Sequence, residues 1–574
     1  MEAIERTMTS WDGTQLFYRA WLPDDKAAEK ALLLFHRGHE HSGRWQETVD
    51  SLGLDEVAIF AWDARGHGRS PGRRGAAREL RDLIKDVDAF VRHISSEHGI
   101  ALENMVLLAH SLAAVTVSAW VHDYGPGIRA LILATAAFAV RLYIPLAIPA
   151  LRLQQKLLGG GEVKSYVRAK MLTRDPIEAA RYEADALIFR QIAINVLLDL
   201  HDTAQRLVAD AGAIQVPVLM LAAGRDWVVS VDTQREFFNR LSSPRKEMHF
   251  FPAMHHAIFH DLDRECVIAR VREFVREQFA EPARRRSLCK ADHYGHTWEE
   301  YETLKLRGAP HFVAARAGLK LAARLSEGIG LGWRSGFDSG QSLDYVYENR
   351  PRGSSRLGRW IDASYLNSIG WRGIRERRKN LESALRNAIA DLQAQEKPVR
   401  ILDIAAGPGR YVLETIRALP VNGVAAVLRD YQPENVAAAR ALADQLGLRN
   451  VEVQVGDAFD RSSLSRIQPK ATVGIVSGLY ELFPSNEAVL ESLGGLADAI
   501  EPGGYLIYTN QPWHPQLEFI ARVLHNREGK RWIMRRRTTA EIDELVRIAG
   551  FEKCTMEIDR WGMFSVAVAR RSSL

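Results

Sequence analysis

The chain has 574 residues, 47% hydrophobic and 26% charged, with a formal net charge of +5; these are the proportions of a globular protein with material for two cores, and they exclude a disordered or fibrous chain. Three cysteines, Cys266, Cys289 and Cys554, are too few and too scattered for a disulfide framework or a zinc site, so no metal is expected. No run of 18 or more apolar residues appears, and the N-terminus MEAIERTMTSWDG lacks the basic-then-apolar layout of a secretory signal. The expected location is the cytoplasm, with peripheral contact at the inner face of the membrane as the alternative.

Residues 1–280 alternate apolar runs with helical stretches. ALLLF (31–35), VAIFAW (57–62), MVLLA (105–109), ALILA (130–134) and VPVLMLA (216–222) are bounded by turns and read as strands buried on both faces of a largely parallel sheet. Between 141 and 210 the pattern is helical and lacks strands, as an inserted cap would. Residues 281–364 read as a polar, basic linker followed by helices. From 365 to 574 the alternation resumes with VRILDIA (399–405), GVAAVLRD (423–430), VEVQVGD (451–457), TVGIVSG (472–478) and GYLIYTN (504–510), which predicts a second α/β unit. Arginine runs at Arg284-Arg285-Arg286, Arg377-Arg378-Lys379 and Arg535-Arg536-Arg537 read as solvated surface, with attraction to anionic lipid headgroups as the sharper alternative. No base-reading motif accompanies them, so no nucleic-acid partner is expected.

Three residues of the first half have the types, order and positions of a nucleophile, an acid and a base. Ser111 follows MVLLA in LLAHSLAAV, Asp226 follows VPVLMLA in AGRDWVV, and His256 lies about 30 residues later in FPAMHHA. His255 is the fallback base, because the two histidines are adjacent. Two further stretches follow early strands: HRGHEHSGRW (36–45) and DARGHGRS (63–70).

These stretches resemble the monoacylglycerol lipase and lysophospholipase branch of the α/β-hydrolases, which shows HGxGEHSGRY, DxRGHGxS, GHSxGG and a late histidine. The likeness covers roughly residues 5–280. It implies an α/β-hydrolase fold with a helical cap, a triad of Ser111, Asp226 and His256, and an oxyanion hole made by the amides of Gly38 and Leu112. In that family the cap covers an acyl tunnel and can touch membrane. The chain departs from the pattern at Arg37, which replaces a glycine, and at Ala109 and Ala113, which replace both glycines of the nucleophile turn. Alanine adds a methyl at each flank but is hard to accommodate only where φ is positive.

In the second half, ILDIAAGPGR (401–410) ends a strand and opens a helix, a turn in which glycines let a ligand approach the backbone. Asp430 ends the next strand and Asp457 the one after. The region resembles the class I S-adenosylmethionine-dependent methyltransferases, with a nicotinamide-binding fold as the runner-up. The resemblance implies a Rossmann-like fold, S-adenosyl-L-methionine as cofactor, and cofactor contacts at Asp403, Ala405, Gly407, Gly409, Asp430 and Asp457; Ala405 stands where the motif has its first glycine. Tyr480 and Glu481, in the loop after the fourth strand, are candidates for the methyl-acceptor side, as wall and general base. The whole chain resembles bacterial fusions of these two families. It reads as a bifunctional enzyme: a hydrolase of lysophospholipid- or monoacylglycerol-type esters joined to a methyltransferase of unassigned acceptor. The alternatives are a methyltransferase with an inactive lipid-binding hydrolase-like domain, and a hydrolase of small esters or thioesters.

Overall fold

The buried apolar runs form the centres of two separate sheets. The computed structural model describes residues 2–23, 28–283, 286–306, 308–419 and 423–572, and it divides into two units, Met1–Arg286 and Ser287–Leu574. Arg284 and Arg285 lie outside the described residues.

In the first unit the strands are β1 (Ile4–Thr9), β2 (Gln15–Trp21), β3 (Ala31–Phe35), β4 (Ala58–Trp62), β5 (Met105–His110), β6 (Ala130–Ala134), the short pair β7 (Glu162–Lys164) and β8 (Gln191–Ala193), β9 (Val218–Ala223) and β10 (Lys246–Phe251). Eight of them make one sheet in the order β1-β2-β4-β3-β5-β6-β9-β10. Every residue of β3, β4, β5, β6 and β9 is buried, which is why these five read as continuous apolar runs. Strands β1, β2 and β10 escape that reading. β1 and β2 pair antiparallel at one edge, β10 closes the other, and β1 and β10 carry charged residues such as Arg6 and Lys246 on half-exposed faces.

The segment 141–210 is mostly helical, but it contains the β7–β8 hairpin, which corrects the expectation that it lacks strands. Its helix Ala147–Leu158 buries no residue. Around it Ile144, Leu146, Leu153, Leu157 and Leu158 are 57–77% exposed.

In the second unit β11 (Val399–Asp403), β12 (Val424–Asp430), β13 (Val451–Val455), β14 (Ala471–Val476), β15 (Ile500–Asn510), β16 (Phe551–Ile558) and β17 (Ser565–Arg571) form a sheet ordered β13-β12-β11-β14-β15-β17-β16. β11 to β15 pair in parallel, and β17 runs antiparallel to both its neighbours. The order reverses between β11 and β14, so ligand-binding crevices are expected at the carboxyl ends of those strands.

Helices from His296 to Leu366 belong to this unit and are not a connector. Leu304, Ile329, Phe337, Tyr345 and Leu366 share one apolar cluster with Trp371, Leu517, Trp532 and Met563. Among the described residues no helix is long and apolar enough to cross a membrane.

One arginine run is not surface, and a second is only partly so. Arg535, Arg536 and Arg537 are each 1% exposed. Arg535 pairs with Glu541 at 2.7 Å, Arg536 donates to Glu300 and to the Pro512 carbonyl, and Arg537 donates to the carbonyls of Tyr480 and Phe483 and to Asn486. A guanidinium presents five N–H donors, so one side chain satisfies the carbonyls of a whole buried loop. Arg377 is buried as well, while Lys379 is exposed.

Candidate active sites

Ser111 sits at the turn between β5 and the helix Leu112–Tyr124 with φ 58° and ψ −113°. A non-glycine residue at such angles is strained by about 1–3 kcal/mol and persists only where the surroundings hold it. Here the Ser111 amide donates to the Ala134 carbonyl at 2.9 Å, and its carbonyl accepts from the amides of Ala114 and Ala137. Neither Ala109 nor Ala113 has positive φ, so alanine at the two flanks costs no backbone strain, and both are buried.

His256 Nε2 lies 2.8 Å from Ser111 Oγ and its Nδ1 lies 2.8 Å from Asp226 Oδ2. Asp226 Oδ1 accepts from the amides of Val228 and Val229 at 2.8 and 2.9 Å. A carboxylate only accepts, so His256 carries its proton on Nδ1 and presents Nε2 as an acceptor to the serine hydroxyl. His255 is not at the site; its amide donates to Asp261. Two residues that the sequence did not single out hold the base in place. His110 Nε2 and Thr135 Oγ1 both reach the His256 carbonyl at 3.1 Å. Burial keeps the His110 imidazole well below its ordinary pKa, with the neighbouring His256 acting the same way.

Gly38 packs on Leu112: a Cβ on Gly38 would lie 3.7 Å from Leu112 Cδ1. The two amides expected to form the oxyanion hole therefore belong to adjoining residues, and Leu112 opens a helix, where backbone N–H groups lack intrahelical acceptors. Arg37 does not block the site. It donates to Glu40 at 2.7 Å, both side chains being buried, and lies 5.0 Å over the ring of Tyr182. Burial raises the Glu40 carboxyl, but Arg37 and Arg44 outweigh it and hold it below the ordinary range.

The stretch 63–70 is a brace and not reacting chemistry. Asp63 accepts from the amides of Ser42 and Arg69, Arg65 grips Asp86 with two bonds of 2.6 and 2.7 Å, and Ser70 ties Asp63 to Phe17. Gly68 is at φ 49°, where a Cβ would strike Asp63 Oδ2.

In the second unit the loop after β11 carries Gly407 at φ 56° and Gly409 at φ 68°. A Cβ at Gly409 would meet Leu428 at 2.7 Å, whereas at Gly407 it would meet nothing nearer than Gly340 at 3.9 Å, so the backbone there borders open space. Asp403 is fully buried and braces the loop: it accepts from Tyr411 Oη at 2.5 Å and from the Ala405 amide at 3.2 Å. Burial pushes its carboxyl up to about 7, against those two hydrogen bonds. Asp430, at the end of β12, accepts from the amides of Gly407 and Gln432 and from Asn435. Asp457, beyond β13, is exposed and accepts from the Phe459 amide. A nucleoside-bearing cofactor fits this set: a glycine backbone with space beside it, and carboxylates at the tips of the two neighbouring strands.

A cavity of about 390 Å³ adjoins the ends of β14 and β15. Its walls are largely apolar, with Trp371, Trp532, Phe519 and Phe564 among them, and its polar residues include Asp338, Arg377, Glu481, Gln511 and His514, beside Ser364, Tyr365, Ser368 and Gln516. Arg377 Nη1 lies 3.5 Å from Glu481 Oε1. Glu481 lines this cavity, but Tyr480 does not. Its hydroxyl donates to Ser492 inside the core at 3.0 Å, and burial pushes the phenol up. Arg377 had a sequence signal that charge alone masks: with Ile374, Leu381 and Leu385 it falls on one face of the helix Ile369–Ala394 at helical spacing, the buried face.

Two family descriptions match the chain. Residues 271–571, more than half of the chain, match the family described as "Putative methyltransferase", and residues 26–263 match "Serine aminopeptidase, S33". An uncharacterized protein of Escherichia coli, YnbC, is 46% identical over 99% of this chain and 98% of its own. A monoacylglycerol lipase of Mycolicibacterium smegmatis is 24% identical over 47% of this chain and 96% of its own. The crystal structure of a monoacylglycerol lipase from Paleococcus ferrophilus aligns over 48% of this chain and all of its own, with 23% identity and a TM-score of 0.41. The chain belongs to the family described as "Putative methyltransferase", with an α/β-hydrolase domain like that of the monoacylglycerol lipases joined ahead of its methyltransferase domain.

Proposed function

We propose that the protein carries two activities: hydrolysis of carboxylic esters with apolar acyl groups, and methyl transfer from S-adenosyl-L-methionine. The observation that carries the first is the unbroken hydrogen-bonded chain Asp226–His256–Ser111, with the serine on a left-handed turn. In this reading the Ser111 Oγ–H proton passes to His256 Nε2 as Oγ forms a bond to the ester carbonyl carbon. The negative charge on the carbonyl oxygen is met by the amides of Gly38 and Leu112, and Asp226 stabilises the imidazolium. His256 then protonates the departing alkoxide, and water, deprotonated by the same ring, releases the acid. The exposed leucines of the helix Ala147–Leu158 and the lipase names of the relatives favour lipid esters over small soluble ones.

For the second activity, the cofactor supplies a methyl group on a sulfonium, already a good leaving group. The chain's part is to hold and align. Gly407 would let the cofactor approach the backbone, Asp430 and Asp457 would accept from its sugar and base, and Asp403 would keep the loop in place.

The test is labelling of the full chain with a fluorophosphonate probe. Ser111→Ala and His256→Ala are expected to lose labelling while keeping the wild-type circular dichroism spectrum. An unlabelled but folded wild-type chain overturns the hydrolase reading and leaves a binding domain. Calorimetric titration with S-adenosyl-L-homocysteine tests the cofactor; no binding overturns the second activity.

A further inference from the structure

The polar end of the cavity beside β14 and β15 has an unusual balance. Gln511 is 2% exposed, lines the cavity, and its Nε2 has no hydrogen-bond partner among the described residues. A buried N–H left unpaired costs about 1–3 kcal/mol, so it marks a place where a ligand atom is expected to accept. His514 Nδ1 accepts from the Gln516 amide at 3.1 Å, so the neutral ring carries its proton on Nε2 and adds a second donor. Burial pushes this imidazole down to about 4, so it stays uncharged at neutral pH. On the accepting side stands Glu481, whose carboxylate lies 3.5 Å from Arg377. Asp338, at another wall, is engaged by the Arg527 amide at 2.6 Å.

These groups discriminate between ligand charges. A carboxylate would take bonds from Gln511 and Arg377 but would lie against the Glu481 carboxylate. An ammonium would suit Glu481 but would face Arg377 and two N–H donors. A hydroxyl both donates and accepts, so it satisfies Glu481 and Gln511 at once without adding charge beside the Arg377–Glu481 pair. Much of the remaining wall, with Trp371, Trp532, Phe519 and Phe564, rewards an apolar, ring-bearing body, and Trp532 Nε1 adds a further unpaired donor among the described residues.

We infer that this cavity binds the methyl acceptor, and that the acceptor is an apolar molecule bearing one weakly acidic hydroxyl, a phenol or an enol, methylated on oxygen. The inference rests on the methyltransferase reading. In the step, the hydroxyl oxygen forms a bond to the methyl carbon as the carbon–sulfur bond of the sulfonium donor breaks, its electron pair remaining on sulfur. The hydroxyl proton goes to a Glu481 oxygen.

The experiment is calorimetric titration of the full chain with 4-hexylphenol, 4-hexylbenzoate and 4-hexylbenzylamine, with and without saturating S-adenosyl-L-homocysteine. The phenol is expected to bind at least tenfold tighter than either charged analogue. Gln511→Leu is expected to weaken phenol binding at least tenfold while leaving the thermal midpoint unchanged or higher, because it removes an unpaired buried amide. Glu481→Gln is expected to narrow the gap between benzoate and phenol. Benzoate or benzylamine binding as tightly as the phenol overturns the hydroxyl assignment. Binding of S-adenosyl-L-homocysteine without any binding of the phenol overturns the inference alone, and failure of both to bind overturns the methyltransferase reading with it.

Discussion

Replacing Arg537 by methionine tests whether the buried arginine run holds the loop that carries Glu481. Arg537 donates at 2.6 Å to the Tyr480 carbonyl, at 2.8 Å to the Phe483 carbonyl and at 2.8 Å to Asn486 Oδ1. Weaker bonds run to the carbonyls of Pro484 and Ser485. Methionine keeps the length and packing of the side chain but removes every donor. Three short bonds to a charged donor are worth ~1.5 kcal/mol each at the low end, or ~4.5 kcal/mol together. Burying the charge opposes this, since burial brings the Arg537 guanidinium down to about 10 despite Glu541. Relief of that desolvation returns ~1–2 kcal/mol, leaving a net loss of about 3 kcal/mol. Glu541 keeps its bond to Arg535 at 2.7 Å, so no carboxylate is orphaned. For a unit of this size that loss lowers the unfolding midpoint by ~5 °C. Differential scanning calorimetry of Arg537→Met is expected to show the methyltransferase unit's transition moved by that amount and the hydrolase unit's unmoved. A shift under ~1 °C, the surface-substitution range, would refute the claim that these arginines are structural.

Other outcomes follow from the same geometry. Asp226→Asn keeps an oxygen for the amides of Val228 and Val229 and so turns its NH₂ toward His256 Nδ1, forcing the proton onto Nε2. Ester turnover is expected to fall ~10⁴-fold with the fold intact, and a loss under tenfold would sink the triad assignment. Asp403 holds its proton in the folded state up to about pH 7, well above its unfolded value. Its contribution is therefore fully present below about pH 4 and is lost as pH rises through about 7. Urea unfolding of the second unit at pH 5 to 8 is expected to show this decline in the wild type and a flatter profile in Asp403→Asn; parallel profiles would count against it. Leu153, Leu157 and Leu158 are exposed, so replacing all three by serine is expected to change stability by less than ~0.5 kcal/mol per site. The same triple variant is expected to slow hydrolysis of an emulsified long-chain ester but not of a soluble butyrate; equal slowing of both would remove the cap helix from substrate access.

Much of this protein is readable in its sequence. Strands buried on both faces become apolar runs because no position along them meets water, and this made β3, β5, β6, β9 and β11 visible together with the turns that follow them. The candidate site residues Ser111, Asp226, Gly407 and Asp430 lie in those turns, so the sequence reaches them with the strands. Edge and antiparallel strands such as β1, β10 and β16 alternate or carry charge, and only pairing with a neighbour makes them strands. The choice of His256 over His255 also belonged to the tertiary structure, because adjacent residues in a loop point apart and only the loop's anchoring by His110 and Thr135 decides which meets the serine. The arginines show the limit most clearly. Arg535, Arg536 and Arg537 carry the charge pattern of a solvated face, yet their burial depends on carbonyls and carboxylates drawn from distant segments of the chain. Local sequence reports what a residue would prefer in water; whether partners converge to replace that water is settled only when the chain has folded around it.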